Sequence, residues 1–302
     1  MPSTLLLLLT ILTVPAVPRL LVDGRLGQPA LPSPVGQSSA VDCRLRISPT
    51  GVPLVRVDLA PDHSAWFVLD TGATGTTLRT ELARELALEV SGEARLGTLG
   101  ANAPVPVARL RGLRITGVPA THDVDVAVHD LRRVRQSAPQ AEGILGQDVL
   151  SAYDYLIDLE RERLVVGFFP PPPHGVRVPL SWSAGRPVLH VRGGRERHGL
   201  VLDSGADVLV MEAHASRDAL GPVWGERRAA FLDTHLGRRH VEVEHHATLR
   251  MADLSLGAVN VVRLPSEAWT MTPEVGLLPA SVFGRVYVSA RSGEAVVWPK
   301  GR

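Results

Sequence analysis

Apolar and polar positions alternate in short runs through most of the chain. Leu54 and Arg56 point to one side of an extended segment and Val55 and Val57 to the other, and similar runs recur, broken by Gly and Pro about every ten residues. Such a period predicts short strands with one buried face. The main departure is Thr76–Leu88, where Leu78, Leu82 and Leu86 recur at fours and predict a short amphipathic helix near the surface. The expected fold class is all-β with few short helices.

The same patterns occur twice. "GVPLVRV" (Gly51 to Val57) leads into Asp70, and "GRPVLHV" (Gly185 to Val191) leads into Asp203. "EGILGQDVL" (Glu142 to Leu150) is echoed by "EVGLLPASVF" (Glu274 to Phe283), and the spacing of 133 positions from Asp70 to Asp203 is also that from Ile144 to Leu277. A period this long is a duplicated domain, since solenoid repeats run about 20–50 residues. The units are expected at 41–169 and 176–302, joined by a Pro-rich linker at 170–175 across which few contacts should pass.

At the N-terminus, residues 1–25 form an apolar stretch, Leu5 to Leu9 and "TILTVPAV", that is shorter than a bilayer span and interrupted by Pro15 and Pro18. It reads as an export signal, with an uncleaved anchor as the rival, and residues 26–40 read as a flexible leader. The expected product is exported (periplasmic, cell-surface or secreted), with no stable membrane insertion of the mature chain. Cys43 is the only cysteine, so no disulfide forms within the chain. With 45% apolar and 21% charged residues and a net charge of +1, the composition is that of a globular protein and gives no electrostatic case for nucleic acid. Lys300 is the only lysine among many arginines, a bias of GC-rich, bacterial genomes.

The chemistry concentrates where strands run into turns. "WFVLDTGATGTTL" and "GLVLDSGADVLVM" each carry an Asp out of an apolar run into Thr-Gly or Ser-Gly. Gly72 and Gly205 permit a tight turn whose N–H groups approach Asp70 or Asp203, while the Thr71 and Ser204 hydroxyls can bond across to the opposite loop. Two carboxyls brought side by side share one proton, so that one acts as base and the other as acid. One such turn alone is ordinary turn chemistry; two in duplicated units are not.

These motifs resemble the aspartic peptidases of the pepsin and retropepsin type. The resemblance spans both units and implies two similar β-barrel-like lobes of the acid-protease fold, with the active-site cleft between them. It implies Asp70 and Asp203 as the catalytic dyad, a polypeptide substrate, no cofactor and no metal. It also implies substrate contacts by Asp207, by Thr74 at the matching place in the first lobe, and by a mobile flap, "RLGTLGANAP" (Arg95 to Pro104), with Gly97 and Gly100. The second lobe departs from the family pattern where "LLP" (Leu277 to Pro279) replaces the Gly of "ILG" by Pro, which is expected to loosen that loop. Both carboxylates lie in one chain, so a monomer is expected rather than a homodimer. The rival in another class is a catalytically silent protein that binds peptide or another ligand in the same cleft.

Two further readings complete the set. His240, Glu242, Glu244 and His246 share one face of a strand and are read as a solvated face or flap hairpin rather than a metal site. Ala73 and Ala206 stand where pepsin-type enzymes carry a hydroxyl. Without that donor the dyad pKa values should be higher, which predicts a mildly acidic optimum on the order of pH 5 to 6.

Overall fold

A computed structural model describes residues 3–6, 11–13, 40–99, 101–193, 196–215, 220, 223, 225–246, 248–251, 254–269 and 274–300. Most of them are in strands, with three short α-helices, Thr80–Glu85, Arg132–Ser137 and Gln147–Leu150.

Each half folds on the same plan. In the first, Pro53–Ala60 pairs antiparallel with His63–Leu69, which ends at Asp70. Ala141–Leu145 then threads between His63–Leu69, to which it is parallel, and Thr77–Arg79, to which it is antiparallel. In the second, Gly276–Pro279 lies parallel to Glu196–Asp203 and antiparallel to Leu209–Glu212. The registers match as well as the topology. Ile144 faces Thr77 in one half and Leu277 faces Val210 in the other, both 133 positions on. The threaded strands and their parallel neighbours are apolar on both faces where they meet, as buried parallel strands must be: Ile144 and Leu145 lie beside Val68 and Leu69, and Leu277 and Leu278 beside Val201 and Leu202, all fully buried.

The halves are not separate bodies on a linker. A six-stranded sheet runs Val41–Ile47, Arg163–Gly167, Asp154–Asp158, Phe283–Ser289, Glu294–Pro299, Val176–Ser183, and its central pairing crosses from one half to the other (Tyr155 opposite Val288, Leu156 opposite Tyr287). The expected scarcity of contacts between the halves is therefore not what the structure shows. This sheet fixes the lobes side by side beneath the two Asp turns.

Two expectations change in detail. Thr77–Arg79 is a strand and only Thr80–Glu85 is helical. The β-branched Thr76 and Thr77 enter the sheet beside Ala127 and Val128, and that pairing outweighs the leucine period. In the apolar leader, Ser3–Leu6 and Ile11–Thr13 are strands, the first parallel to Arg228–Thr234 and the second antiparallel to Val90–Thr98. The remainder of residues 1–39 lies outside the described residues. Among the described residues no helix is long and apolar enough to cross a membrane. Cys43 is buried, and desolvation pushes its thiol up to about 11, an inert packing residue.

Candidate active site

Asp70 and Asp203 meet at the centre of the molecule, both fully buried. Asp70 Oδ1 accepts the N–H groups of Gly72 (2.8 Å) and Ala73 (2.9 Å), and Asp203 Oδ1 accepts that of Gly205 (2.8 Å). Their outer oxygens, Asp70 Oδ2 and Asp203 Oδ2, have no hydrogen-bond partner outside the pair. The turns come so close that a Cβ on Gly72 would sit 2.6 Å from Cγ of Asp203, a distance no side chain tolerates. Glycine here is a condition for the two carboxyls to meet.

A reciprocal set of hydrogen bonds clamps the turns together. The Thr71 hydroxyl donates to the Leu202 carbonyl (2.6 Å) and accepts the Ser204 N–H (3.0 Å). The Ser204 hydroxyl donates to the Leu69 carbonyl (2.6 Å) and accepts the Thr71 N–H (3.0 Å). Each hydroxyl thus satisfies one buried donor and one buried acceptor of the other lobe, groups that would otherwise cost about 1–3 kcal/mol each.

Burial dominates the electrostatics. Desolvation, followed by repulsion from Asp203, holds the Asp70 carboxyl well above the ordinary carboxylate range. Desolvation also raises Asp203, to about 6, while turn N–H groups, the Asp70 carboxyl and the Arg186 charge pull it back down. Burial is the larger influence on both carboxyls, and the Ala73 and Ala206 N–H groups act against it.

Two hairpins tip toward each other over the dyad. The first, Val90–Thr98 with Ala101–Ile115, is the expected flap; Gly97 is buried within it opposite Asn102, and Gly100 lies outside the described residues. Leu99 at its tip is buried in a second-lobe cluster with Val188, Val201, Ala206 and Trp269. The second hairpin, Arg228–Thr234 with Gly237–His246, contains the polar strand for which the sequence offers a solvated face or a flap hairpin. Its tip residue Leu236 packs on Leu96, Val105 and Ala127 of the first lobe. Beside it His235 is fully buried against His129, ring centroids 6.0 Å apart, and desolvation lowers its pKa to about 3. Each lobe thus closes over the other.

The remaining expected residues divide. Thr74 and Asp207 occupy equivalent half-buried places after the two turns. Asp207 lines a pocket of about 570 Å³ with Leu254, Asn260, Pro279 and Val282, to one side of the dyad. On the polar strand His240 and Glu242 are exposed, whereas Glu244 and His246 are buried, Glu244 bonding His246 (3.0 Å), Arg227 (2.9 Å) and Arg263 (2.9 Å). That face is solvated at His240 and Glu242 and becomes a buried ion-pair cluster at Glu244 and His246. No group of three or more metal-ligating side chains occurs among the described residues.

Sequence reasoning does not single out some residues near the dyad. Asp148 accepts from the Thr76 N–H (2.8 Å) and hydroxyl (2.7 Å), and Gln147 donates to the Thr71 carbonyl (3.0 Å). They follow directly on "ILG", which is the available signal. Arg186 and Glu274 form a buried ion pair at 3.1 Å in the second lobe, and their signal is a charge within each otherwise apolar echo of the first lobe.

This is an aspartic-peptidase-type fold: two all-β lobes, each contributing an Asp turn threaded by an apolar strand, with the cleft between them. Residues 55–149, the heart of the first lobe, match the family model described as aspartyl protease. Among solved structures the chain is similar to basic 7S globulin from soybean, at 10% identity and a TM-score of 0.52, over 88% of this chain and 97% of that one. It also matches a retropepsin-like aspartic protease from Rickettsia conorii at 16% identity, covering 43% of this chain and 92% of that one, with a TM-score of 0.31. No curated protein matches the sequence.

Proposed function

We propose that the chain is an exported, single-chain aspartic endopeptidase that works as a monomer and needs no cofactor. The observation that carries this reading is the pair of buried carboxyls, clamped together by Thr71 and Ser204, whose outer oxygens are left to each other and to whatever enters the cleft. With one proton between them, Asp203 as carboxylate takes a proton from water while Asp70 gives its proton to the carbonyl oxygen of an extended peptide. The water oxygen bonds to the carbonyl carbon to form a gem-diol. Its collapse breaks the C–N bond as a carboxyl returns a proton to the leaving amine. Both carboxyls belong to one chain and the lobes share a sheet, which supports the monomer; the apolar leader supports export. Thr74, Asp207 and Gly97 are assigned to substrate contact.

Burial raises both carboxyls, which supports an optimum on the order of pH 5 to 6 rather than near pH 2–3. The test is digestion of a peptide library by the purified protein and its Asp70→Asn and Asp203→Asn variants. Each variant should lose at least ~10³-fold in kcat/KM while still binding peptide, because one loses the acid and the other the base. Appreciable cleavage by either variant removes the dyad. Peptide bound but uncut by the wild type at every pH makes this a binding protein.

A further inference from the structure

Where the first lobe packs Val52 and Ala141 behind its Asp turn, in one cluster with Ala73, the second lobe places Arg186 and Glu274. The correspondence is direct: "GVP" at 51–53 is echoed by "GRP" at 185–187, and Ala141 stands two residues before Gly143 as Glu274 stands two before Gly276. Val52 and Ala141 are fully buried, Arg186 is 1% exposed and Glu274 6%. Arg186 Nη2 donates to Glu274 at 3.1 Å and its Nε to the Ser183 carbonyl at 3.3 Å, while Nη1 is buried with no hydrogen-bond partner.

Stability alone does not account for this pair. A buried ion pair recovers its desolvation cost poorly, and apolar residues of similar volume are often as good or better. The first lobe shows that the fold accepts the apolar solution at the same place. A guanidinium also stays charged when buried, because its ordinary pKa is so high. The pair therefore sets a permanent positive charge and its counter-charge behind one carboxyl of the dyad, where the matching places behind the other hold the apolar Val52 and Ala141.

We propose that Arg186 is a positioning residue that assigns the dyad's single negative charge to Asp203 and its proton to Asp70. The assignment rests on reading these two Asp residues as the working dyad. The groups that act on one another here are Asp70, Asp203, Arg186 and Glu274. Asp148 sits behind the first turn, tied to Thr76, and Asp207 is half-buried beyond the second. Of these, Arg186 is the cation: it opens the strand Arg186–Gly193, which pairs antiparallel with Glu196–Asp203 (Val188 opposite Val201), at the end where that partner reaches Asp203, and from there its charge favours ionisation of Asp203. The apparent two-fold symmetry of the site is broken chemically: Asp203 is the base that activates water and Asp70 the acid that faces the carbonyl.

The experiment follows the dyad by carbon NMR of labelled aspartates and, in parallel, by the pH profile of kcat/KM on a peptide substrate. Arg186→Val with Glu274→Ala, which imports the first lobe's apolar pair, should raise the Asp203 titration and the acidic limb by about one pH unit, with KM little changed. Glu274→Gln leaves the arginine charge unopposed and should move both downward. Arg186→Lys, which keeps the charge, should return them to within about 0.3 of wild type. A limb and an Asp203 titration that stay put in Glu274→Gln, or in the folded double variant, overturn the assignment. The glutamine variant, nearly isosteric, decides the question even if the double variant does not fold. Since the NMR titration needs no turnover, absence of peptidase activity would refute the proposed function without touching this test.

Discussion

In the first lobe the Asp turn is held from behind by polar side chains, and in the second the same positions are apolar or rebuilt. Thr76, Gly146, Gln147 and Asp148 correspond to Leu209, Pro279, Ala280 and Ser281. Thr76 donates two hydrogen bonds to Asp148, the Gly146 N–H donates to the Thr76 hydroxyl (3.3 Å), and Gln147 donates to the Thr71 carbonyl. The second lobe has Leu209 packed in the core, Pro279 closing its strand opposite Asp203, and the Arg186–Glu274 pair behind. One turn geometry is therefore reached by two solutions, a hydrogen-bonded scaffold and a packed one with a charge at its back. The two Asp turns are tied to each other by the Thr71 and Ser204 hydroxyls, which treat both sides alike, so the different supports behind the turns leave the dyad geometry the same.

Pro279 is instructive within this comparison. The sequence suggests a loosened loop, yet Pro279 is buried at φ −60° and ψ 133°, a conformation its ring prefers. In the first lobe a Cβ at position 146 would lie 2.6 Å from the Gly75 carbonyl carbon, and Val208 stands at the Gly75 place in the second.

Crossing the two solutions gives the largest expected effect. Gly146→Pro should destabilise the protein by about 3 kcal/mol or more, since it drives a ring into Gly75 and removes the bond to Thr76. Pro279→Gly should cost only about 1 kcal/mol, through added freedom of the unfolded chain. Equal losses in urea melts would mean the loops are not held differently. Next, Asp148→Ala strips two buried donors of their acceptor and should cost about 1–3 kcal/mol, whereas Ser281→Ala should be nearly neutral.

The dyad itself should weaken the fold at neutral pH. Both carboxyls have folded-state pKa values above the unfolded 3.8, so stability is greatest below that value and is lost as pH rises through the folded values. Asp70→Asn and Asp203→Asn are therefore expected to melt a few degrees higher than wild type at pH 7–8, an advantage that fades toward pH 4. His235 works in the opposite sense. Its lowered pKa means that stability is kept above 6.5 and lost as pH falls toward 3, so His235→Gln should flatten the acid side of the stability profile by about 1–2 kcal/mol. If it does not, the second hairpin tip opens before the ring is protonated.

The features legible in the sequence are those written in local chemistry. An apolar run ending in Asp-Thr-Gly or Asp-Ser-Gly announces strand and turn together, and its repetition at a fixed spacing announces two lobes. What was not legible depends on partners remote in the chain. Leu78, Leu82 and Leu86 satisfy a helical period as well as a core strand followed by a short helix, and only the neighbours at Ala127 and Val128 decide between them. Arg186 and Glu274 lie 88 positions apart, and nothing local says that they pair. The hairpin ending at His246 reads as polar because Glu244 is neutralised by Arg227 and Arg263, which the strand pattern does not contain.

The two leader strands carry one more consequence. Leu6 lies opposite Asp233 and Ile11 opposite Gly97, and these partners are equally placed, one residue before the last pair of each hairpin. Yet one strand runs with its neighbour and the other against it. A two-fold axis exchanges the hairpins but cannot exchange the ends of a polypeptide, which reads differently from N to C than from C to N. A single chain laid across both edges must therefore be parallel to one and antiparallel to the other, meeting slanted, evenly spaced hydrogen bonds on one side and paired, perpendicular ones on the other. Even lobes identical in every residue would offer such a chain two unlike edges. Directionality is thus imposed by the guest, and the asymmetry behind the Asp turns is laid over an inequality that the backbone alone already guarantees.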